Sequence, residues 1–538
     1  MLTIDQLSLK PEDPQLVVSE AKENRGLDLL GLRAPAEAIA NRLLNGVTTV
    51  TPAIRYLSLR SWLILRYLKL GGLKSWDSFS KFAAKAEAIV AFASRIVDDP
   101  TPGIVGRDVA AGIVAQANEA ITVKRLTKIL AADLYAGPSE GLGLGESKGE
   151  VPTLTSERGV RLAESFDALV GNEDVLTEIS LDDEEQTVDR VRLAQFGSRF
   201  TMAKPSPGER EWLASAVIPK QPRRSELSRI GSYCLLLHLS QALTRMIDES
   251  DVYTAVSRQS LAGVPDELHS ICDGWVHFVV RDLLVLVHEA AVFNVLKQLC
   301  LLPRQEKRQS SQGVIAALIS GNLDSGLNGL GLQISAGQPI RDLCMAVADA
   351  CGPTTELRGL NRWGGGLSEK LLFEKRSWLQ SPDGLALLPV AWILAAHRLE
   401  PCVLRRSSSA ELDDIAGAYR IGVGAVVIPE VAKWRTASTS VREVVAWLIH
   451  RSVDQHLRIA WSRLAREPFK DVSLIHSDGE EWVYQRDFNP GRATSRLYQA
   501  LNWLSQLGFL NANGLTTEGS ALLDAGLTTL RRTLSNAT

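Results

Sequence analysis

The side chains that could do chemistry begin with Asp133 and the triplet Glu146-Ser147-Lys148. This is the loose order of a D…ExK metal nuclease, in which carboxylates hold Mg²⁺ and a lysine helps to activate water. Such a site needs paired strands to converge its ligands. Here the triplet stands in a glycine-rich run, Gly137 to Pro152, that follows a helical pattern. His277 and His288 are eleven residues apart, three helical turns, and share a face, with Asp282 off that line. A metal site needs three or four convergent ligands, so two hydrogen-bonded core histidines are the simpler expectation. His450 and His456 do not share a face, and there is no HExxH. The run GLGLGESKG lacks the GxxxxGK[ST] order that cradles phosphates, GxGxxG is not matched, and no Gly-x-Ser-x-Gly elbow occurs. The six cysteines, at 234, 272, 300, 344, 351 and 402, form no CxxC and read as reduced, mostly buried thiols. No catalytic, metal-binding or cofactor-binding residue is therefore expected, and no cofactor.

Binding chemistry is better represented. Arg492, Ser495, Arg496, Gln499 and Asn502 recur along one stretch. Arginine suits guanine edges and phosphates, and Asn and Gln suit adenine, so these five form a candidate DNA-contacting face. The alternative is a solvated face on a protein–protein module. From Thr436 onward there are 11 Lys or Arg and 10 Asp or Glu, a thin surplus for phosphate binding. A second candidate is the stripe Arg55, Trp62, Arg66 and Lys69, a basic and aromatic face at helical spacing. Its functional reading is contact with phosphate or an acidic partner. Its simpler reading is a solvated stripe whose tryptophan packs at the edge.

The first set needs a recognition helix to present it. Leu497, Ala500, Leu501, Leu504 and Leu507 give the apolar face of such a helix. Thr494 or Ser495 can cap it, and Gly508 can end it. Asn513-Gly514 then predicts a tight hairpin turn, and Thr516 or Thr517 can cap a last helix. The stretch Val472 to Gly526, with "LYQALNWLSQLGFLNANG-LTTEG" at its centre, resembles the winged helix-turn-helix superfamily. That resemblance implies a recognition helix followed by a β-wing. A similar phrase occurs earlier: LTSERGVRLAESFDAL, from Leu154 to Leu169, against the terminal LTTEGSALLDAGL. It suggests a second winged-helix-like unit whose wing is the glycine-rich run. The segment "LLNGVTTVTPAIRYLSLRSWLI" resembles prokaryotic proteins encoded in anti-phage defence loci, which implies an accessory subunit of a multi-protein system.

The rest of the chain reads as helices. Thr51 caps and Pro52 opens a helix that Gly71-Gly72 ends. Leu181 to Glu185 is an acidic run. Long apolar helices are expected over Glu226 to Ile247 and Trp275 to Leu301, and irregular glycine-rich segments over Gly321 to Gly337 and Gly352 to Gly366. Ser440-Val441-Arg442-Glu443 is a capping box, and Asp478-Gly479 a hairpin turn. The 538 residues, 45% apolar with a net charge of −3, suit about three domains and exclude a generally basic nucleic-acid coat. The expected fold is mainly α and multi-domain. Its segments are a helical 1–136, a glycine-rich and winged-helix-like 137–204, a helical 205–435, and 436–538 with a long helix and a terminal winged helix. The start Met1 to Asp5 has no basic and apolar leader pattern, and no apolar run reaches the roughly 20 residues of a membrane span. A cytoplasmic, non-enzymatic DNA-binding or DNA-associated accessory subunit of a multi-protein system, partnered by DNA and other protein subunits and without membrane contact, is the function these features favour. A helical adaptor and a cryptic nuclease are the alternatives.

Overall fold

The computed structural model describes residues 28–535 apart from 51, 118, 147–150, 155–156, 172–174, 182–184, 258–262, 303–306, 352–366, 405–425 and 466–472. The expected cap at Thr51, most of the acidic run, Ser147 and Lys148, and the segment Gly352 to Gly366 lie outside the described residues. What is described is mainly α-helical, with seven short strands. Among the described residues no helix is long and apolar enough to cross a membrane.

The chain does not cluster as four consecutive domains. It forms two compact units, each built from three segments. One, the spine unit, takes residues up to 40, 250–265 and 269–495; the other, the paired unit, takes 41–249, 266–268 and 496–538. The terminal stretch that reads as one module is divided between them at Ser495/Arg496.

The spine unit is organised by a 32-residue helix, His269–Cys300. It carries no polar face, and a helix apolar all round is stable only when enclosed; nearly every residue from Ile271 to Leu296 is buried. The helices Leu387–Leu404 and Val441–Leu464 pack against it. The second of these starts at the expected capping box. Ser440 Oγ accepts from the Glu443 amide at 3.3 Å, and Glu443 accepts from the Ser440 amide at 2.8 Å. Two buried carboxylates on the spine helix hold distant segments. Asp282 accepts from Arg492 and from the Ala493 amide. Glu289 accepts two bonds from Arg33, at 2.7 and 2.6 Å, and one from the Gly491 amide at 2.8 Å. Burial pushes the Glu289 carboxyl up, against the pull of Arg33. The strands Ile475–Asp478 and Glu481–Tyr484 form the expected hairpin, with Gly479 at positive φ in the two-residue turn. Arg308–Ser310 joins as a third strand on the open side of Glu481–Tyr484. This hairpin belongs to the spine unit and not to a terminal wing.

The paired unit repeats one local design. Near the C-terminus, the helix Leu497–Gln506 ends at Gly508, whose φ of +79 is readily adopted only without a side chain. The amides of Gly508 and Phe509 return to Ser505 and Leu504, a Schellman-type end. Leu510–Asn511 pairs with Gly514–Leu515, and the helix Thr517–Ser535 follows. Earlier, the helix Ala136–Gly141 ends at Gly143, φ +66, and the amides of Gly143 and Leu144 return to Glu140 and Ser139. Glu146 pairs with Thr153, and the helix Glu157–Val170 follows. In each copy a first-turn glycine lies against the carbonyl that follows the left-handed glycine. A Cβ on Gly159 would stand 1.9 Å from the Leu144 oxygen, and one on Gly519 would stand 2.2 Å from the Phe509 oxygen. The echo between Leu154 and Leu515 is thus a repeated helix, turn, β-pair and helix. The opening of the glycine-rich run is helical, within Ala136–Gly141, and the Glu146–Thr153 pair brackets its later part.

Local expectations shift by a few residues. The helix after Pro52 starts at Tyr56, and the terminal helix starts at Leu497 with Arg496, φ +66, at its cap, so neither Thr494 nor Ser495 caps it. The terminal turn is Ala512-Asn513, with Gly514 in the second strand. Gly321 to Gly337 contains the helix Leu323–Gly329, capped by Asn322.

Candidate anion-binding site

The face of the Val441–Leu464 helix that meets the spine helix carries Arg451, Gln455 and Arg458, at spacings of four and three. Such positions stack along one side of a helix. The spine helix contributes Arg281 and His288, two turns apart, and the Leu387–Leu404 helix contributes Trp392. The fourth wall is the segment Leu30 to Pro35. Asp28 folds it by accepting from the amides of Leu32 and Ala34, at 3.1 and 2.9 Å. Gln455 Nε2 donates to the Leu30 carbonyl at 2.8 Å, His456 donates from Nδ1 to the Leu29 carbonyl at 3.1 Å, and Arg463 donates to the Asp28 carbonyl at 2.6 Å. Between these walls is a cavity of about 170 Å³, floored by Leu284, Trp392 and Val427.

The electrostatics of the cavity are one-sided. Arg281, Arg451 and Arg458 line it, and among the described residues no carboxylate does. Arg281 is buried. The Arg451 guanidinium lies over the rings of Trp447 and Trp392, at 5.2 and 5.9 Å, a cation–π arrangement that fixes it without neutralising it. Burial, with Arg458 adding to it, lowers the Arg451 guanidinium from its ordinary value. Glu430 and Asp454 are near enough to be felt, but each is engaged elsewhere, with Lys433 and His450, both at 2.9 Å. Among the described residues no carboxylate reaches ion-pair distance of Arg451 or Arg458.

His288 cannot serve as an acid or base here. The Trp392 indole N–H donates to Nε2 at 2.9 Å, so the proton of the neutral ring is on Nδ1. Nδ1 donates to Ser452 Oγ at 2.8 Å, and Ser452 donates onward to the Leu448 carbonyl at 2.7 Å. Burial first, and the Arg451 charge second, push the His288 pKa down to about 3. His277 is pushed down to about 4, by burial and then by Arg281. Both rings are neutral at physiological pH. Ser452 is likewise occupied as donor and acceptor. Among the described lining residues, the histidine and the serine are therefore both engaged in hydrogen bonds within the protein.

The sequence-predicted faces are not assembled. Arg492 and Ser495 precede the terminal helix instead of lining it, because that helix starts at Leu497. The Arg492 side chain is 26% exposed, pairs with Asp282 at 2.7 Å, and lies 3.9 Å from the centre of the Phe373 ring. Ser495 is buried. Arg496 donates to the Val47 carbonyl, Gln499 to the Thr49 carbonyl at 3.2 Å, and Asn502 to the Tyr498 carbonyl at 2.8 Å. Both cations are spent on protein partners. The second face also turns inward. Arg55 is paired through two bonds with Glu209, at 3.0 and 2.7 Å, and lies 4.2 Å from the Phe200 ring centre. Trp62 donates to Asp167 at 2.7 Å, Arg66 donates to the Thr177 carbonyl at 2.8 Å, and Lys69 lies 3.7 Å from Asp167. Only Lys69 is substantially exposed.

Asp133 accepts from the Leu130 amide at the start of a short helix, and Glu146 is joined to Thr153 by backbone pairing. Neither lies on paired strands of the kind a nuclease centre needs. Among the described residues no group of three His, Cys, Asp or Glu is disposed to hold a metal ion. Sequence reading passed over Arg281, Trp392, Arg451 and Arg458. The i, i+7 pair Arg451 and Arg458, on a helix with a strong capping box, was the signal that could have found part of this set. Compared with known proteins, the chain matches no family model, no curated protein and no solved structure.

Proposed function

We propose that this chain is a non-catalytic binding protein for an anion that also carries an apolar part, with the arginine-lined cavity of the spine unit as its site. The observation that carries the reading is the convergence of Arg451 and Arg458, neither with a carboxylate at ion-pair distance among the described residues, on one cavity. Like charges brought together in a partly enclosed space repel, and a bound anion removes that repulsion while gaining charge-assisted hydrogen bonds. The apolar floor suits a ligand that is more than a bare ion. Titration calorimetry with inorganic pyrophosphate at low salt tests it. Binding is expected to weaken as salt rises and to weaken at least tenfold in Arg458→Glu. Absence of binding at low ionic strength refutes the reading.

In this reading the DNA-contacting role moves away from Arg492 and Arg496, whose charges are engaged within the protein. A second reading, a helical adaptor for another protein subunit, is favoured by the paired unit. Leu68, Leu70, Leu73 and Trp76 stand exposed at the turn between the helices Tyr56–Lys69 and Trp76–Ile96, a patch of the kind that marks interaction sites. Loss of a co-purifying subunit in Leu73→Asp, with the fold intact, is its expected signature. An unchanged complex would count against it.

A further inference from the structure

The cavity gives more than the sign of its ligand. We propose that it takes a nucleoside phosphate, with the phosphate held by Arg451 and Arg458, the sugar over the apolar floor, and the base stacked outside on Trp461. This assignment rests on the anion-binding reading above and adds a substrate class to it.

Two independent observations lead there. The first is size. A cavity of about 170 Å³ is close to the ~150 Å³ that accommodates a single benzene ring. A phosphate with part of its sugar is of that order, and a whole nucleotide is not. If a nucleoside phosphate enters, its base must remain outside. The second is what stands outside. Arg458 lines the cavity and is itself exposed, so the cavity reaches the surface there. Trp461 is three residues further along the same helix, a rise of about 4.5 Å, on the adjoining part of the face. Its indole is 69% exposed, and among the described residues it stacks on no other ring. A large indole left in water beside an arginine with no carboxylate partner is the pattern of a stacking platform next to a phosphate site. Trp447, one turn before Arg451, is in contrast braced by Trp392 and Trp434. It stiffens the Arg451 position and is not available as a platform. Trp392 is itself oriented by the fixed His288 tautomer, so the inner wall is pre-organised.

The same chemistry has two sources, a free mononucleotide or the phosphorylated end of a single strand. Tryptophan fluorescence and calorimetry on the full chain at low salt compare adenosine 5′-monophosphate, adenosine, inorganic phosphate, and a hexanucleotide with and without a 5′-phosphate. Adenosine 5′-monophosphate is expected to bind roughly tenfold or more tightly than either adenosine or inorganic phosphate, from the usual strength of one base stack. Trp461→Ala is expected to remove about that factor for the nucleotide and leave inorganic phosphate unchanged. Arg458→Ala is expected to weaken both. Both residues are exposed, so neither variant threatens the fold, and circular dichroism confirms it. A phosphorylated hexanucleotide that matches or exceeds the mononucleotide supports the proposal with a strand end as the source. A mononucleotide that binds when the hexanucleotide does not supports it with the free nucleotide. Equal binding of phosphate and nucleotide, or no effect of Trp461→Ala, overturns the nucleoside assignment and leaves the anion site standing. No binding of either anion overturns both.

Discussion

Replacing Arg55 by methionine separates a buried structural ion pair from an exposed phosphate-binding face. The Arg55 and Glu209 side chains are 2% and 0% exposed. Two parallel bonds join them, a third runs from Arg55 to the Thr201 carbonyl, and the guanidinium is seated on Phe200. Methionine conserves much of the volume but leaves the Glu209 carboxylate buried with, among the described residues, the Ser206 amide alone donating to it. Removing one member of such a pair costs about 3–5 kcal/mol, and replacing both members can be nearly neutral. Arg55→Met should therefore lower stability by about 3–5 kcal/mol, and Arg55→Met with Glu209→Gln by about 1–2 kcal/mol. Glutamine keeps an acceptor for the Ser206 capping box, which is why it is the better second substitution. For a unit of this size each kcal/mol moves Tm by roughly 2–4 °C, so the single variant should melt about 10 °C lower. Differential scanning calorimetry of wild type, both single variants and the double variant gives the cycle. A loss under about 1 kcal/mol for Arg55→Met, or a double variant no better than the single, would refute the buried pair and restore the exposed face. Lys69 is the internal control. Its pairing with Asp167 is long and exposed, so Lys69→Ala should change stability by less than about 0.5 kcal/mol.

Three further outcomes follow from the same geometry. His288 has its folded pKa pushed down, so the folded state resists protonation. Stability from this group is complete above its ordinary pKa of 6.5 and is lost towards about 3, at roughly 1.4 kcal/mol per pH unit for one proton. Acid unfolding followed by circular dichroism should be shallower in His288→Gln than in wild type, and equal slopes would contradict the buried neutral ring. Glu87 has the opposite sign. It accepts from the amides of Ala131 and Ala132, both at 2.7 Å, yet burial pushes it up to about 7 from 4.5. Its contribution is full below pH 4.5 and falls as pH rises through 7, by roughly 3 kcal/mol in all. Urea midpoints measured from pH 5 to 8 should flatten in Glu87→Gln. Gly159→Ala and Gly519→Ala should each destabilise by about 1–3 kcal/mol because the added carbon meets a backbone oxygen, although alanine ordinarily favours a helix by about 1 kcal/mol. Gly112, with nothing near its Cβ position, should show that ordinary gain, and a gain at Gly159 would deny the close approach.

Features set by neighbours in the chain were legible from the amino acids. The capping box at Ser440 and Glu443, the left-handed glycine at 508, the hairpin turn at Gly479 and the apolar character of the spine helix all depend on contacts within a few residues. The shared phrase after Leu154 and Leu515 was legible for the same reason. Side-chain spacing along a helix and the φ demanded by a turn are local quantities, so the repeated helix, turn, β-pair and helix could be anticipated from two short matches.

The role of each charge was a tertiary matter. Arg55 meets a carboxylate 154 residues away, and Arg492 meets one 210 residues away. Both look like free surface cations until those partners arrive, because burial depends on what covers a side chain and not on its own type. The reverse holds for Arg451 and Arg458. Each sits on an ordinary helical position, and only the packing of three helices and one N-terminal segment brings them to a common cavity without an acid among them. Chain order determined the helices, turns and repeat of this protein. Which arginines meet a carboxylate in its interior and which line a cavity was decided by contacts between segments hundreds of residues apart, where the free energy of a charge is fixed by its nearest opposite charge and its access to water.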